Sequence, residues 1–146
     1  MKVAVERVED ASAMLRAYQA SLRSARTARA PRDARLPREL LRRAVRFVND
    51  NLESKLRWEE LAAVVGLDPF SFARAFRLAT GMTPRQYVIR CRIRKAMRLL
   101  PQDSQTLADI ALAVGCSCQS HLTTLFRKYI GTTPGAFRRA AKNAAS

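Results

Sequence analysis

From residue 37 onward, apolar residues recur every three or four positions, the spacing of amphipathic helices. Alanine, leucine and valine dominate these positions and aromatic residues are few, which favours helices over strands. The pattern predicts an all-α fold. Its expected elements are a packing helix over 37–52, a helix-turn-helix unit over about 58–80, a linker helix over about 84–100, a second such unit over about 106–130, and a short last helix.

The chain contains an internal repeat. Leu-Ala-Ala-Val-Val-Gly at 61–66 matches Ile-Ala-Leu-Ala-Val-Gly at 110–115, an offset of 49, and Phe76-Arg77 matches Phe126-Arg127 at an offset of 50. Two copies are too few for a solenoid, in which at least three repeats stack. The repeat therefore predicts a pair of similar units joined by the linker helix.

Each unit is predicted to be a helix, a tight turn and a second helix. In the first unit Gly66 supplies the positive φ that ends a helix, and Asp68 followed by Pro69 caps and begins the next. In the second unit a capping-box pattern at 106–109 opens the first helix, and Ser117 is the predicted cap of the second.

Residues 1–36 differ in character from the rest. Residues 11–22 are weakly amphipathic, and residues 23–35 are rich in alanine, arginine and proline. We interpret this segment as an N-terminal helix followed by a flexible basic arm. An unstructured tail is the alternative.

The charge indicates the kind of partner. The chain has 27 Lys and Arg against 12 Asp and Glu, a formal net charge of +15. Such an excess suggests a polyanion, because each neutralised phosphate releases condensed counterions. A basic protein whose charge only keeps it in solution is the alternative.

Other features limit the compartment. No apolar run is long enough to cross a membrane, and acidic residues occupy the place of a signal peptide's apolar run. Three cysteines are too few for a disulfide scaffold. We expect a cytoplasmic protein.

These residues carry a resemblance to a known family. The chain from about Pro37 to Arg139 resembles the DNA-binding domain of the AraC/XylS transcription regulators. The similarity lies in Glu60-Leu-Ala…Gly66, Phe72-x-Arg74-x-Phe76-Arg77…Gly81-Met-Thr-Pro-x-x-Tyr87, Arg92-Ile-x-x-Ala96, Asp109-Ile-Ala…Gly115 and Leu122-x-x-x-Phe126-Arg127-Lys…Gly131-x-Thr-Pro-x-x-Phe137-Arg138. The resemblance implies about seven helices in two homeodomain-like units over 37–146, each reading a major-groove segment with its second helix.

The resemblance also implies the base contacts. The first recognition helix would offer Phe70, Ala73 and Arg74, and the second would offer Ser117, Gln119, Ser120, His121 and Thr124. Arginine can donate two hydrogen bonds to guanine, and glutamine can pair with adenine. Phe70 could touch a thymine methyl, with a place in the core as the alternative. Thr124 stands where the family often has a long basic residue, which predicts weaker reading by the second unit.

Basic residues on and near these helices are assigned to phosphates, which position a protein without carrying sequence information. The predicted phosphate contacts are Arg77, Arg90, Arg127, Lys128, Arg138 and Arg139. Solvated surface charges are the alternative for each of them.

Cys116-x-Cys118-x-x-His121 superficially resembles a metal cluster, but no fourth ligand is near in sequence. We therefore expect no metal and no cofactor. A redox role for Cys118, beside a helix N-terminus and basic residues, is a minor hypothesis. The default is a cysteine that only fills space.

The predicted function is that of a sequence-specific transcription regulator that binds double-stranded DNA. We expect an activator that acts as a monomer on an asymmetric site of about 20 base pairs, with RNA polymerase as a candidate partner. The sequence lacks the motifs of an enzyme, so we expect no catalysis, and from its length we expect no reactive-cysteine domain of the kind that some repair methyltransferases carry beside a similar region. The alternatives are a basic adaptor and a non-specific nucleic-acid-binding protein.

Overall fold

The computed structural model describes residues 33–146. This part of the chain contains helices and no strand, which confirms the predicted all-α fold. The helices are α1 (Arg38–Asp50), α2 (Trp58–Val64), α3 (Pro69–Thr80), α4 (Pro84–Leu99), α5 (Leu107–Ala113), α6 (Gln119–Ile130) and α7 (Pro134–Ala145). The predicted N-terminal helix and nearly all of the basic arm lie outside the described residues.

The chain divides into two compact units. In the described part of the chain, the first unit holds residues 33–48 and 56–84, and the second holds 49–55 and 85–146. The second unit therefore includes the short segment that follows α1 as well as α4. The sequence repeat has a physical counterpart, since α2 and α3 belong to one unit and α5 and α6 to the other.

The first unit is built around two aromatic rings of α3. Phe72 and Phe76 are fully buried, with ring centroids 5.5 Å apart. Leu61 from α2 and Val48 from α1 are buried in the same unit. The Leu36 N–H donates to the Ala75 carbonyl of α3 at 3.3 Å, which fixes the chain just before α1.

The second unit has an apolar cluster drawn from α4, α5, α6 and the segments that join them. Phe126 is buried, and Phe137 of α7 meets it edge-on with ring centroids 5.4 Å apart. The other buried members of the cluster are Ile93, Ala96, Leu100, Ile110, Ala111, Val114, Cys116 and Leu122.

The predicted helix caps are mostly confirmed. The Asp68 carboxylate accepts the Ser71 N–H at 2.9 Å, and Pro69 begins α3. Thr106 and Asp109 form the capping box that opens α5. The prediction for Ser117 is wrong: Cys118 is the N-cap of α6, with no side-chain capping hydrogen bond. Ser117 lies one residue too early, because the turn after Gly115 is longer than the corresponding turn after Gly66.

Two basic residues of α4 hold the turn between α5 and α6. Arg92 Nε donates to the Leu52 carbonyl at 3.3 Å, and its NH2 donates to the Ser54 carbonyl at 3.1 Å. The Leu52 carbonyl itself lies against Gly115 in that turn. Lys95 Nζ donates to the Ala113 carbonyl at 2.9 Å, which satisfies an acceptor at the end of α5. Contacts within the second unit thus hold the end of α5 and the Gly115 turn that precedes α6.

Candidate nucleic-acid interface

The outer face of α3 carries the candidate base contacts of the first unit. Because Phe72 and Phe76 point into the core, the opposite side of the helix faces outward. Phe70 on that side is 73% exposed, and Ala73 is exposed as well. The alternative that Phe70 belongs to the core is wrong. The first turn of α3 is capped by Asp68. Hydrogen bonds from the Ser71 hydroxyl and, next, from the Ser71 N–H lower the pKa of the Asp68 carboxyl.

Arg74 lies one helical turn after Phe70 and is half-buried. Its guanidinium carbon is 5.5 Å from the centroid of the Phe70 ring. A cation over a ring face is attracted by the ring quadrupole, and the planar guanidinium can stack there. This contact restrains Arg74 before it meets a ligand. The sequence signal for this pair, which was missed, is the spacing of four residues on one helix.

The outer face of α6 carries the candidate contacts of the second unit. Leu122 and Phe126 are buried, so the other sides of the helix face solvent. All five predicted base-reading residues here are exposed: Ser117, Gln119, Ser120, His121 and Thr124. Compared with α3, this face presents shorter polar side chains and no arginine before Arg127.

Two of these side chains already have partners. The Ser117 N–H donates to His121 Nδ1 at 3.3 Å, and the Thr124 hydroxyl donates to the Ser120 carbonyl at 3.0 Å. With Nδ1 as an acceptor, a neutral His121 carries its proton on Nε2, which is then a donor. Thr124 keeps only its acceptor capacity. Gln119 has the longest amide side chain on this face.

Most of the predicted phosphate contacts are exposed cations. Arg77, Arg90, Arg127, Lys128 and Arg139 all face solvent. Lys128 Nζ lies 5.8 Å from the Tyr129 ring centroid. Exposure makes these residues available to a phosphate, and the assignment of each one remains a prediction.

Arg138 differs from the other predicted phosphate contacts because its guanidinium has partners within the second unit. Its Nε donates to the Leu100 carbonyl at 2.8 Å, and its NH2 donates to the Gln105 carbonyl at 2.9 Å. Both carbonyls belong to the segment between α4 and α5, so the half-buried guanidinium joins α7 to that segment. We infer from these two bonds that Arg138 stabilises the fold, and its phosphate contact stays a prediction that a salt titration decides.

Replacing Arg138 with alanine should lower the free energy of unfolding by about 1–3 kcal/mol, because two charge-assisted hydrogen bonds are lost. The neighbouring Arg139→Ala should change it by less than about 0.5 kcal/mol. For DNA binding we expect the larger effect from Arg139. Arg139→Ala should reduce the salt slope of log K by about 0.9, and Arg138→Ala should leave that slope unchanged. Urea denaturation and salt titrations of anisotropy measure both. A reduced slope with normal stability in Arg138→Ala would restore its phosphate role.

The three cysteines lie in different environments. Cys91 and Cys116 are buried, and burial raises the pKa of both thiols. Cys118 is exposed at the start of α6. The pKa of the Cys118 thiol is lowered, chiefly by the nearby His121 backbone N–H and next by the Ser117 hydroxyl. Cys118 is therefore the reactive thiol of the three.

Mild alkylation of the folded chain should modify Cys118 well before Cys91 or Cys116. The lowered pKa gives Cys118 a larger thiolate fraction near neutral pH than an ordinary exposed cysteine has, and the thiolate is the nucleophile. Iodoacetamide labelling from pH 6 to 9, followed by peptide mass spectrometry, measures the order and the pH midpoint. Faster labelling at Cys116 would contradict this assignment, and the urea-unfolded chain supplies the reference rates.

Residues 33–146 contain neither a cluster of metal ligands nor a membrane-spanning helix. No group of three His, Cys, Asp or Glu residues in this range could hold a metal ion. No helix in the same range combines the length and apolar character needed to span a bilayer.

Comparison with known proteins agrees with this architecture. A family model described as a helix-turn-helix domain matches residues 61–140, more than half of the chain. The chain is similar to the bifunctional transcriptional activator and DNA repair enzyme AdaA of Bacillus subtilis, with 32% identity over 96 residues that make up 66% of this chain and 46% of that protein. It is also similar to the transcriptional activator RhaS of Klebsiella pneumoniae, with 31% identity over 68% of this chain and 36% of that protein.

A solved structure extends the comparison. The DNA-binding domain of the global transcriptional factor AdpA, crystallised with a target DNA, matches with a TM-score of 0.68 and 30% identity. The match covers 71% of this chain and 94% of that domain. By contrast, the chain spans only about a third to a half of the curated relatives' lengths. The chain belongs to the AraC/XylS family of transcription regulators and contains that family's helix-turn-helix DNA-binding domain.

Proposed function

We propose that this chain is a sequence-specific regulator of transcription that binds double-stranded DNA through α3 and α6. The observation that carries the proposal is the pairing of Phe70 and Arg74 on the exposed face of α3, opposite a fully buried aromatic face. An exposed aromatic ring that holds an arginine fork has the chemistry to read a base edge. The exposed polar face of α6 supports a second reading element.

In this proposal Arg74 donates two hydrogen bonds to guanine O6 and N7. Phe70 contacts a neighbouring thymine methyl, and the small Ala73 lets the helix approach the groove floor. On α6, Gln119 pairs with adenine, while Ser117, Ser120, His121 and Thr124 make shorter polar contacts. The exposed cations Arg77, Arg90, Arg127, Lys128 and Arg139 bind phosphates and set the register.

The remaining parts of the proposal rest on the family. RhaS is named as a transcriptional activator, which supports activation by this chain. Action on chromosomal DNA places the protein in the bacterial cytoplasm. RNA polymerase is the proposed partner, and a monomer covers one asymmetric site because α3 and α6 carry different side chains. The proposed function includes no catalysis, since the region shared with the bifunctional AdaA is a helix-turn-helix domain.

Selection of bound duplexes from a random pool, followed by gel shifts with competitor DNA, tests the proposal. A regulator should enrich one asymmetric site of about 20 base pairs and prefer it to random DNA by 10³-fold or more. A non-specific binder would enrich no sequence, and a basic adaptor would not shift duplex DNA. Either result would refute the proposed function, and a palindromic minimal site would refute the monomeric mode.

A further inference from the structure

The outer face of α1 carries a row of arginines that has no role in the proposed function. Arg38, Arg42 and Arg46 follow one another at intervals of four residues, and all three are exposed. At about 1.5 Å of rise per residue, neighbours in the row are about 6 Å apart along the axis and the row spans about 12 Å. Glu39 lies three residues before Arg42 and Asp50 continues the row one turn after Arg46, so two carboxylates flank the three arginines, and Arg43 lies beside them.

The direction of this row is fixed by the core. Ala44 and Val48 on the opposite side of α1 are completely buried. The helix cannot turn the arginines inward without exposing these residues. The ion pairs Lys95–Glu53 and Lys142–Asp103 involve none of these three arginines.

The start of the row lies beside the recognition helix of the same unit. Leu36 is only 4% exposed, and its N–H donates to the Ala75 carbonyl of α3. Arg38 follows two residues later. Ala75 is itself buried, so this contact holds the N-terminal end of α1 against the core side of α3, about one helix diameter (about 10 Å) from the face that would enter a groove. Homeodomains use the chain before their first helix in a comparable way, since it reaches the groove next to the one that the recognition helix occupies.

We propose that Arg38, Arg42 and Arg46, here called the α1 arginine row, bind the phosphate backbone of the DNA that flanks the segment read by α3. This inference rests on the proposed function and extends its contact surface. Arginine suits phosphate because its planar fork can donate two parallel hydrogen bonds. Each strand carries one phosphate per 3.4 Å of B-DNA, so a row of about 12 Å faces three or four of them.

The composition of the face favours DNA over an acidic protein. The core of a protein interface needs apolar or aromatic anchors, with charged residues depleted. The exposed large apolar residues of the described chain lie on other helices: Phe70, Leu78, Leu112 and Ile130. The α1 arginine row offers charge and hydrogen-bond donors alone, which is the chemistry of backbone contact.

Two charge-matched variants test the inference. One is Arg38→Gln/Arg42→Gln/Arg46→Gln, and the control, Arg85→Gln/Arg94→Gln/Arg98→Gln, removes three exposed charges from α4. Each is titrated by anisotropy on the selected core duplex and on the same duplex extended by about ten base pairs at each end. Circular dichroism melting checks that both variants keep the wild-type fold.

Wild type and the α4 control should gain affinity from the extension, and the salt slope of log K should steepen by up to about 2.7, or about 0.9 for each of three phosphate contacts. The α1 variant should lose that gain and bind both duplexes with one slope. The preferred sequence should be unchanged, since phosphate contacts are not sequence-specific.

Three results would overturn the inference. The α1 variant could gain as much from the extension as the control does. Its loss could be equal on both duplexes, which would place the row inside the core site. Polyglutamate could bind wild type and not the α1 variant while the extension has no effect, which would assign the row to an acidic protein. Failure of the proposed function shows separately, because it is judged by wild type on the core duplex.

Discussion

Gly115→Ala is expected to lower the free energy of unfolding by about 2–5 kcal/mol, a large effect for one added methyl group. Gly115 has φ of +87°, and a Cβ added there would lie 1.9 Å from the Leu52 carbonyl oxygen. A left-handed backbone costs an alanine about 1–2 kcal/mol. Relief of the clash requires a backbone shift, and overpacking of this kind costs about 1–3 kcal/mol more.

The shift would reach the recognition helix. The Leu52 carbonyl accepts a hydrogen bond from Arg92 Nε, and this nitrogen lies 2.9 Å from the position of the added Cβ. Moving Leu52 therefore disturbs the hydrogen bonds that fix the turn before α6. We expect Gly115→Ala to lose discrimination among bases read by the second unit, and to keep it at those read by α3.

Gly66→Ala is the matched control, because the sequence repeat places Gly66 at the equivalent position. Its φ is +72°, yet nothing lies within 4 Å of an added Cβ. The expected loss is only the backbone strain of about 1–2 kcal/mol. Urea denaturation followed by circular dichroism gives both values. Equal losses in the two variants would show that the approach of Leu52 to Gly115 contributes nothing to stability.

The difference between these two glycines could not be predicted from the sequence. Both follow nearly identical segments and both have positive φ, which was predicted for Gly66. What separates them is a carbonyl group from Leu52, more than 60 positions earlier in the chain. Local rules of capping depend on neighbours in sequence, whereas close packing depends on which distant segment arrives.

Helix bounds and caps could be predicted because they depend on residues that are close in sequence, whereas the contact at Gly115 depends on a distant segment. The Asp68-Pro69 start and the Thr106 capping box are contacts within four residues, and both are present. The Ser117 prediction failed because the two turns differ in length by one residue, as the change of repeat offset from 49 to 50 already indicated.

The candidate interface shows the same limit. The buried pattern of Phe72 and Phe76 was enough to predict which side of α3 faces outward. Arg138 and Arg139 are identical in type and adjacent, so no local pattern separates them. Only the carbonyls of Leu100 and Gln105, more than 30 positions earlier, assign Arg138 to the fold.

Arg74→Ala should weaken binding to the selected site by about 1–3 kcal/mol and relax the preference at one base pair. A bidentate arginine distinguishes guanine from the other bases, whereas alanine leaves that base pair unread. Arg127→Ala should instead weaken cognate and random duplexes alike and reduce the salt slope by about 1. Competition gel shifts with the selected site and its single-base variants, at two salt concentrations, separate these effects.

Phe70 provides the second test, because its ring holds the Arg74 guanidinium. Phe70→Leu keeps an apolar side chain that can meet a thymine methyl but removes the ring quadrupole. If the ring restrains Arg74, Phe70→Leu should reduce discrimination at the same base pair as Arg74→Ala, and the double variant should lose less than the sum of the two. Additive losses at different base pairs would show that the two side chains read DNA independently. Identical losses on cognate and random DNA from Arg74→Ala and Arg127→Ala would contradict base reading by α3 altogether.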